Sequence, residues 1–285
     1  MKWLIPAKTF LLGEYAAIAG SSALVLTTSP CFELSVSQEP GLQGIHPDSP
    51  AGRWWSRHGD KGMGLHFYDP YQGRGGMGAS SAQFVGVYQA ARWMQASAHT
   101  PEDLLTAYLQ SAWDGRGLSP SGYDVWAQIL HGCVYLNRQQ QTYHAYEWPF
   151  PDLAFVLLHT GQKLATHHHL QTATLPKELD QLAEIVESAK FAIESVDSSR
   201  MIRAVNAYHQ QLMGMHKVAK HSVRHIESLQ KQPQVLAMKG CGAMGADVLL
   251  LLVPASELAL SVSRFSTSGW EVLATSDDLY VTNQN

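Results

Sequence analysis

The sequence predicts an α+β protein of two lobes, with the change of lobe near Pro151. Three observations predict it. The opening is a succession of strand-like apolar runs. A glycine-rich turn at residues 75–78 then leads into apolar residues at helical spacing. Beyond Pro151, a long helical stretch is enclosed by short apolar runs of strand character.

In chain order, residues 3–5 read as a strand, and residues 10–12 continue an extended course into Gly13-Glu14. Ala23-Leu24-Val25-Leu26 and Phe32-Glu33-Leu34-Ser35-Val36 read as two strands, the second with period-2 alternation. Residues 39–76 are dense in glycine, proline and aspartate around Trp54 and Trp55, which predicts a long surface excursion or lid. After Gly78, the spacing of Phe84, Val85, Tyr88 and Ala91 predicts a helix. Pro101-Glu102-Asp103 opens a second one, with proline and acids in its first turn. Residues 134–136 and 154–158 read as strands, and the proline-bearing stretch between them divides the chain into 1–150 and 151–285. From residue 177 to 230 the pattern is helical, with Leu182, Ile185, Val186 and Ala189 on one face and Ile202, Val205, Leu212 and Met213 on another. At least two helices fit there. The fully apolar run at 248–253, bounded by Asp247 and Pro254, reads as a buried strand; residues 256–266 follow as a helix and 270–273 as a closing strand.

Composition narrows the function classes. The 285 residues are 45% hydrophobic and 15% charged, the balance of a folded protein. A net charge of −4 and pI of 6.4 give no broad attraction for nucleic acid or an anionic membrane. No run approaches the roughly 18–20 apolar residues that span a bilayer. The start reaches Pro6 and Lys8 after three apolar residues, too few for a signal-peptide core. Cys31, Cys133 and Cys241 are odd in number and far apart, so neither a disulfide framework nor a close-set zinc site is expected, and a reducing cytoplasm fits. The run His167-His168-His169 cannot place three imidazoles on one face, which argues against a metal site there.

Four segments could carry chemistry. Gly75-Gly76-Met77-Gly78-Ala79-Ser80-Ser81-Ala82 feeds hydroxyl residues into a helix N-terminus. Glycines allow close backbone approach to an anion, free N–H groups and the helix dipole favour negative charge, and a serine hydroxyl can reach phosphate or its metal. On its own, the segment fits a turn capped by Ser80 or Ser81 equally well. It is not a Walker loop, since no Gly-Lys-Ser/Thr follows. Pro6-Ala7-Lys8-Thr9-Phe10-Leu11-Leu12-Gly13-Glu14-Tyr15-Ala16 sets Lys8 and Glu14 on either side of an apolar stretch, where a lysine is commonly just solvated. Ser119-Pro120-Ser121-Gly122-Tyr123-Asp124 places an aspartate after a tight turn, commonly a cap. Lys239-Gly240-Cys241-Gly242-Ala243-Met244-Gly245-Ala246-Asp247 is a tight connection into the buried strand.

In their joint order these segments resemble the three motifs of the GHMP superfamily, named for galacto-, homoserine, mevalonate and phosphomevalonate kinases. The opening segment is similar to Pro-Gly-Lys followed by Gly-Glu-His/Tyr, the glycine loop to Gly-Leu-Gly-Ser-Ser-Ala, and the late loop to Gly-Ala-Gly-Gly-Gly. Ser121-Gly122-Tyr123-Asp124 falls where the family keeps its catalytic aspartate. Within the superfamily, several features resemble phosphomevalonate kinases more than mevalonate kinases. They are Gly13-Glu14-Tyr15, the Ser-Gly-Tyr-Asp-Val run, Lys239 and Asp247 flanking the late loop, and Thr160-Gly161 followed by Thr166. Ala7, Ala79, Met244 and Ala246 depart from the motifs.

The resemblance implies the two-lobed GHMP-kinase fold, an N-terminal β-rich lobe and a ferredoxin-like C-terminal lobe with the active site between them. It implies ATP and Mg2+ as cofactors. Gly76, Met77, Gly78, Ala79, Ser80 and Ser81 would hold the ATP phosphates, with Ser80 on the magnesium. Asp114 is a candidate acidic ligand whose spacing to Asp124 only roughly fits. Lys8 and Asp124 would be catalytic, Lys8 keeping Asp124 ionised. Gly242, Ala243, Gly245 and Asp247 would form the third-motif loop beside the substrate. Lys217, Lys220, His221 and Arg224 could supply cations to a substrate phosphate, or form a solvated basic face. The expected partner is a small-molecule substrate, with a homodimer as the only assembly in view.

Overall fold

The computed structural model describes residues 1–162 and 178–282, so Thr166 and the histidine run lie outside the described residues. The first sheet has the order β3-β4-β2-β5-β6, with β1 on the other side of β2. Its axis is β2 (Ala23–Ser37), a single 15-residue strand in place of the two expected. β1 (Lys2–Leu12) is likewise continuous and runs antiparallel to β2. Pro6 falls where the register shifts between Ile5 and Ala7, an irregularity that accommodates a residue without an N–H. β5 (Cys133–Asn137) and β6 (Thr142–Tyr146) complete the other edge.

Alternation along β2 sorts the core. Leu24, Leu26, Phe32 and Leu34 join the main core cluster with α3 (Ala79–Met94), while Ala23 and Val25 meet Tyr123, Trp126 and Ala127 of α5 (Tyr123–Leu130). Between these helices runs α4 (Pro101–Ala112), started by a Thr100–Asp103 capping box. The short α1 (Glu14–Ile18) follows β1 directly.

The expectation of a surface excursion at 39–76 is overturned. That stretch holds β3 (Gly41–Gln43), α2 (Pro50–His58) and β4 (Gly64–Tyr68), with β4 paired to β2. Trp54 and Trp55 are buried, and the Trp54 ring lies 5.9 Å from Phe84 and 5.2 Å from Tyr88. Burial of two bulky aromatics supplies enough apolar contact for packing to outweigh the loop-like composition. The start of α2 follows ordinary rules: the Ser49 hydroxyl accepts from Gly52 N–H, and proline occupies the first turn.

The second sheet joins β7 (Leu153–His159), β8 (Ala237–Cys241), β9 (Val248–Pro254) and β10 (Glu271–Thr275) in the order β10-β7-β9-β8, all antiparallel. This is the 4-1-3-2 order of a ferredoxin-like unit. The helical stretch contains α6 (Leu179–Ser195), α7 (Ser198–Gly214) and α8 (Lys220–Leu229), and α9 (Leu258–Thr267) precedes β10. β9 is apolar throughout because both faces are covered. Leu249, Leu251 and Val253 pack with Ile226 and Leu229 of α8 and Phe265 of α9, while Leu250 and Leu252 join the main core.

The two sheets share that main core, which contains Leu26 of β2, Phe155 and Leu157 of β7, and Leu182 of α6. Hydrogen bonds add to it: Tyr135 donates to Glu187 at 2.6 Å and Tyr146 to Glu194 at 2.7 Å, docking α6 on the first sheet. After β10 the chain returns to β2, where Tyr280 N–H donates to the Thr27 carbonyl at 2.8 Å. Among the described residues, no helix is long and apolar enough to cross a membrane.

Candidate functional site

The glycine loop is fixed from below by β1. Lys8 N–H donates to the Met77 carbonyl at 2.9 Å, and Met77 is buried. Gly78 caps α3 with a left-handed backbone, φ +83°, and no side chain caps the helix. A Cβ there would lie 2.7 Å from Lys8 Cγ and 2.9 Å from Lys8 Cε, so glycine is required both by conformation and by the lysine stem that crosses it. The N–H groups of Ala79 and Ser80 therefore stand at an uncapped helix N-terminus, the arrangement that attracts anions. The two serines differ. Ser81 is buried and its hydroxyl donates to the Gly78 carbonyl at 2.9 Å, whereas Ser80 is exposed and its hydroxyl makes no hydrogen bond among the described residues.

Asp124 stands in the first turn of α5, half-buried, where the helix dipole favours a carboxylate. Its neighbour Tyr123 anchors that turn: the buried hydroxyl donates to the Ser21 carbonyl at 2.9 Å and accepts from Arg138 N–H at 2.7 Å. Burial, and after it the nearby Asp124 charge, pushes the Tyr108 phenol well above its ordinary 10.0. One turn along α5, the Gln128 carboxamide donates to the Pro6 carbonyl at 2.9 Å and to the Gly78 carbonyl at 3.2 Å. β1, the glycine loop and α5 thus meet at Gly78. Lys8 and Asp124 do not form a direct ion pair; the Lys8 ammonium stands 5.2 Å from the Phe10 ring centre.

The third-motif loop closes the site from the other lobe. Gly76 abuts Asp247 and Val248, where an added Cβ would run into Val248 Cγ2. Asp247 is buried. The Thr160 hydroxyl donates to the Ala246 carbonyl at 2.5 Å, which gives Thr160 a structural role on this loop. Carbonyls 244 to 246 each accept from the start of α8 or just before it: Met244 from Ala219 N–H at 2.8 Å, Gly245 from the Ser222 hydroxyl at 2.7 Å, and Ala246 from His221 Nε2 at 2.9 Å. His221 therefore turns its Nε2 to the loop, and the Lys217 ammonium lies 5.8 Å from the Tyr15 ring; Lys220 and Arg224 are exposed. Gly242 and Ala243 lie in the same loop, Gly242 at φ +84°. Met244, at a motif glycine position, adopts φ +56°.

Two tethers join the first and third motifs. Tyr15 donates its hydroxyl to Met244 Sδ at 3.6 Å, and burial, then Glu14, pushes its pKa to about 12. Lys239 forms a buried ion pair with Glu14. Burial opposes the Lys239 charge, but Cys241 and Glu14 beside it outweigh burial and hold its pKa above the ordinary 10.5. Asp114 lies exposed after α4, its carboxylate accepting from Arg116 N–H at 3.0 Å as a turn former does. Among the described residues there is no group of three or more metal-type side chains.

No family model matches the sequence, and no curated protein matches it either. Solved structures do. Streptococcus pneumoniae phosphomevalonate kinase, in complex with phosphomevalonate and AMPPNP, superposes with a TM-score of 0.78 at 17% identity over 96% of this chain and 99% of that one. The chain has the GHMP-kinase fold. Methanococcus jannaschii mevalonate kinase is similar at TM-score 0.74 and 12% identity, covering 96% and 97% of the two chains. Lactococcus lactis galactokinase complexed with galactose is similar at 0.74 and 13%, covering 95% and 92%. Sequence reasoning marks Thr160 only through the Thr160-Gly161 resemblance and does not find Gln128 or Ser222 as parts of this candidate site. Their polar groups bond to backbone, and no motif marks such a contact.

Proposed function

We propose that the chain is an ATP-dependent small-molecule kinase of the mevalonate pathway, converting 5-phosphomevalonate to 5-diphosphomevalonate. The observation that carries this reading is the meeting at Gly78 of an uncapped helix N-terminus, the Lys8 stem and the α5 turn that bears Asp124. Phosphoryl transfer depends chiefly on positioning and on stabilising charge in a loose transition state. Backbone N–H groups of Gly76, Met77, Gly78, Ala79, Ser80 and Ser81 would hold ATP phosphates, and Lys8 would offset charge on the moving group. Asp124 would accept the proton of a hydroxyl acceptor. With a phosphate acceptor little base catalysis is needed, and Asp124 would order the site instead.

The exposed hydroxyl of Ser80 fits a magnesium ion held mainly by phosphates and water, with Asp114 as the candidate carboxylate. Ser80, with Asp114, would help hold Mg2+, whose chemistry when bound would be to offset phosphate charge. Gly242, Ala243, Gly245 and Asp247 would border the acceptor. The proposal includes a cytoplasmic location and no nucleic-acid or membrane partner, and is compatible with a homodimer.

Mevalonate kinase activity is the near alternative, since mevalonate and phosphomevalonate kinases both share this fold. A second class, a metabolite-binding protein of this fold without turnover, is favoured by Met244 holding a left-handed backbone where the motif has glycine. Coupled ADP release with mevalonate, 5-phosphomevalonate, homoserine and galactose in parallel tests all three. Turnover of 5-phosphomevalonate alone supports the proposal; ATP binding without turnover of any acceptor supports the second class.

A further inference from the structure

Gln128 is 2% exposed and lies four residues after Asp124, so both side chains leave the same face of α5. Its amide nitrogen donates to two carbonyls far apart in sequence, Pro6 at 2.9 Å and Gly78 at 3.2 Å. Because both partners are acceptors, the carboxamide orientation is fixed, with NH2 toward them. Its other end, Oε1, is buried and has no hydrogen-bond partner. An interior residue with a purely packing role would avoid that cost.

The Gly78 carbonyl also accepts from Ala82 N–H and from the Ser81 hydroxyl, each at 2.9 Å. In a trans peptide, the carbonyl of one residue and the N–H of the next point in opposite directions. Holding the Gly78 oxygen inward therefore aims Ala79 N–H outward, into the space the helix N-terminus faces. The second donation ties the same amide to β1 two residues before Lys8, whose stem crosses Gly78.

From this geometry we infer that Gln128 is a positioning residue: it locks the Gly78–Ala79 peptide with its N–H toward the ATP phosphates and sets that peptide against Lys8. The inference rests on the phosphate-cradle reading above. It acts on nucleotide, not acceptor, and predicts a split that a purely structural role would not produce.

The test measures ATP affinity by titration calorimetry, the KM of each substrate and the melting temperature for wild type, Gln128→Met and Gln128→Glu. Methionine keeps the volume and removes both donors; glutamate keeps the shape and sets an acceptor against the two carbonyls. The expected result for Gln128→Met is ATP binding weaker by about tenfold, the loss of one hydrogen bond's worth of orientation, with acceptor KM and melting temperature near wild type. Gln128→Glu should bind ATP more weakly still. ATP affinity unchanged in folded Gln128→Met overturns the inference and leaves the cradle standing. Should that variant not fold, unchanged affinity in Gln128→Glu overturns it equally. Wild type that binds no ATP overturns the cradle reading and the inference together.

Discussion

Lys239 of β8 and Glu14 at the start of α1 form an ion pair across 225 positions of sequence, with the lysine fully enclosed. The ammonium also lies 3.4 Å from the Phe10 carbonyl and 3.4 Å from Cys241 Sγ, and 5.8 Å from the Tyr208 ring centre. Removing one partner leaves the other charge buried and uncompensated, so Lys239→Met and Glu14→Gln should each cost about 3–5 kcal/mol. The double variant should recover much of that loss, because it removes both charges. Urea denaturation of the four proteins measures the coupling; additive losses would show that the pair is not a unit. The raised Lys239 pKa adds a direction. Its contribution is complete below the ordinary 10.5 and fades only as pH climbs through the folded value, so Lys239 gives no pH dependence near neutrality.

Acid sensitivity has another source. Burial lowers the pKa of His209, with Lys239 as the second cause, so the folded state prefers the neutral imidazole. A depressed value contributes stability that is complete above the ordinary 6.5 and is lost as pH falls through the folded value. Burial lowers His131 and His159 in the same sense. Melting temperature should therefore fall as pH drops below about 6.5, ahead of carboxylate titration. His209→Gln should flatten part of that slope, and an unchanged slope in this variant would remove His209 as a cause.

Legibility in the sequence followed the range of the interactions. The glycine turn, the proline-opened helix α4 and the apolar run of β9 were readable because local spacing dictates them. Residues 39–76 were misread, since loop-like composition says nothing about Trp54 finding Phe84 and Tyr88 on another helix. Lys8, the loop and Asp124 were nameable only in company. The Lys239 partnership and the Gln128 bridge were invisible, because each pairs ordinary residues brought together by the sheets.

Asp124→Asn separates the two acceptor chemistries. The substitution keeps shape and the turn anchored by the Tyr123 hydroxyl, so the melting temperature should barely move. With a hydroxyl acceptor, loss of the base should cut turnover by about 10²-fold or more. With a phosphate acceptor the loss should be well under that, because the nucleophile is already an anion. Coupled ADP release, run on whichever acceptor wild type uses, gives the answer. Near-normal turnover on mevalonate would remove Asp124 as the base.

Met244 holds φ +56° and ψ +19°, a conformation that costs a non-glycine residue roughly 1–2 kcal/mol. Glycine would release that strain but give up the Tyr15–Sδ contact at 3.6 Å and add freedom to the unfolded chain. These effects nearly offset, so Met244→Gly should change stability by no more than about 1 kcal/mol. Valine is worse on both counts, being β-branched at positive φ and too short to reach Tyr15, and should lose about 2 kcal/mol or more. Chemical denaturation of the three proteins checks the order; valine as stable as methionine would mean the loop relaxes out of the left-handed region. Turnover of the same proteins speaks to the third motif. A gain in Met244→Gly over wild type would identify the methionine as a brake on the loop that borders the acceptor, and no gain would show that the glycine position tolerates it.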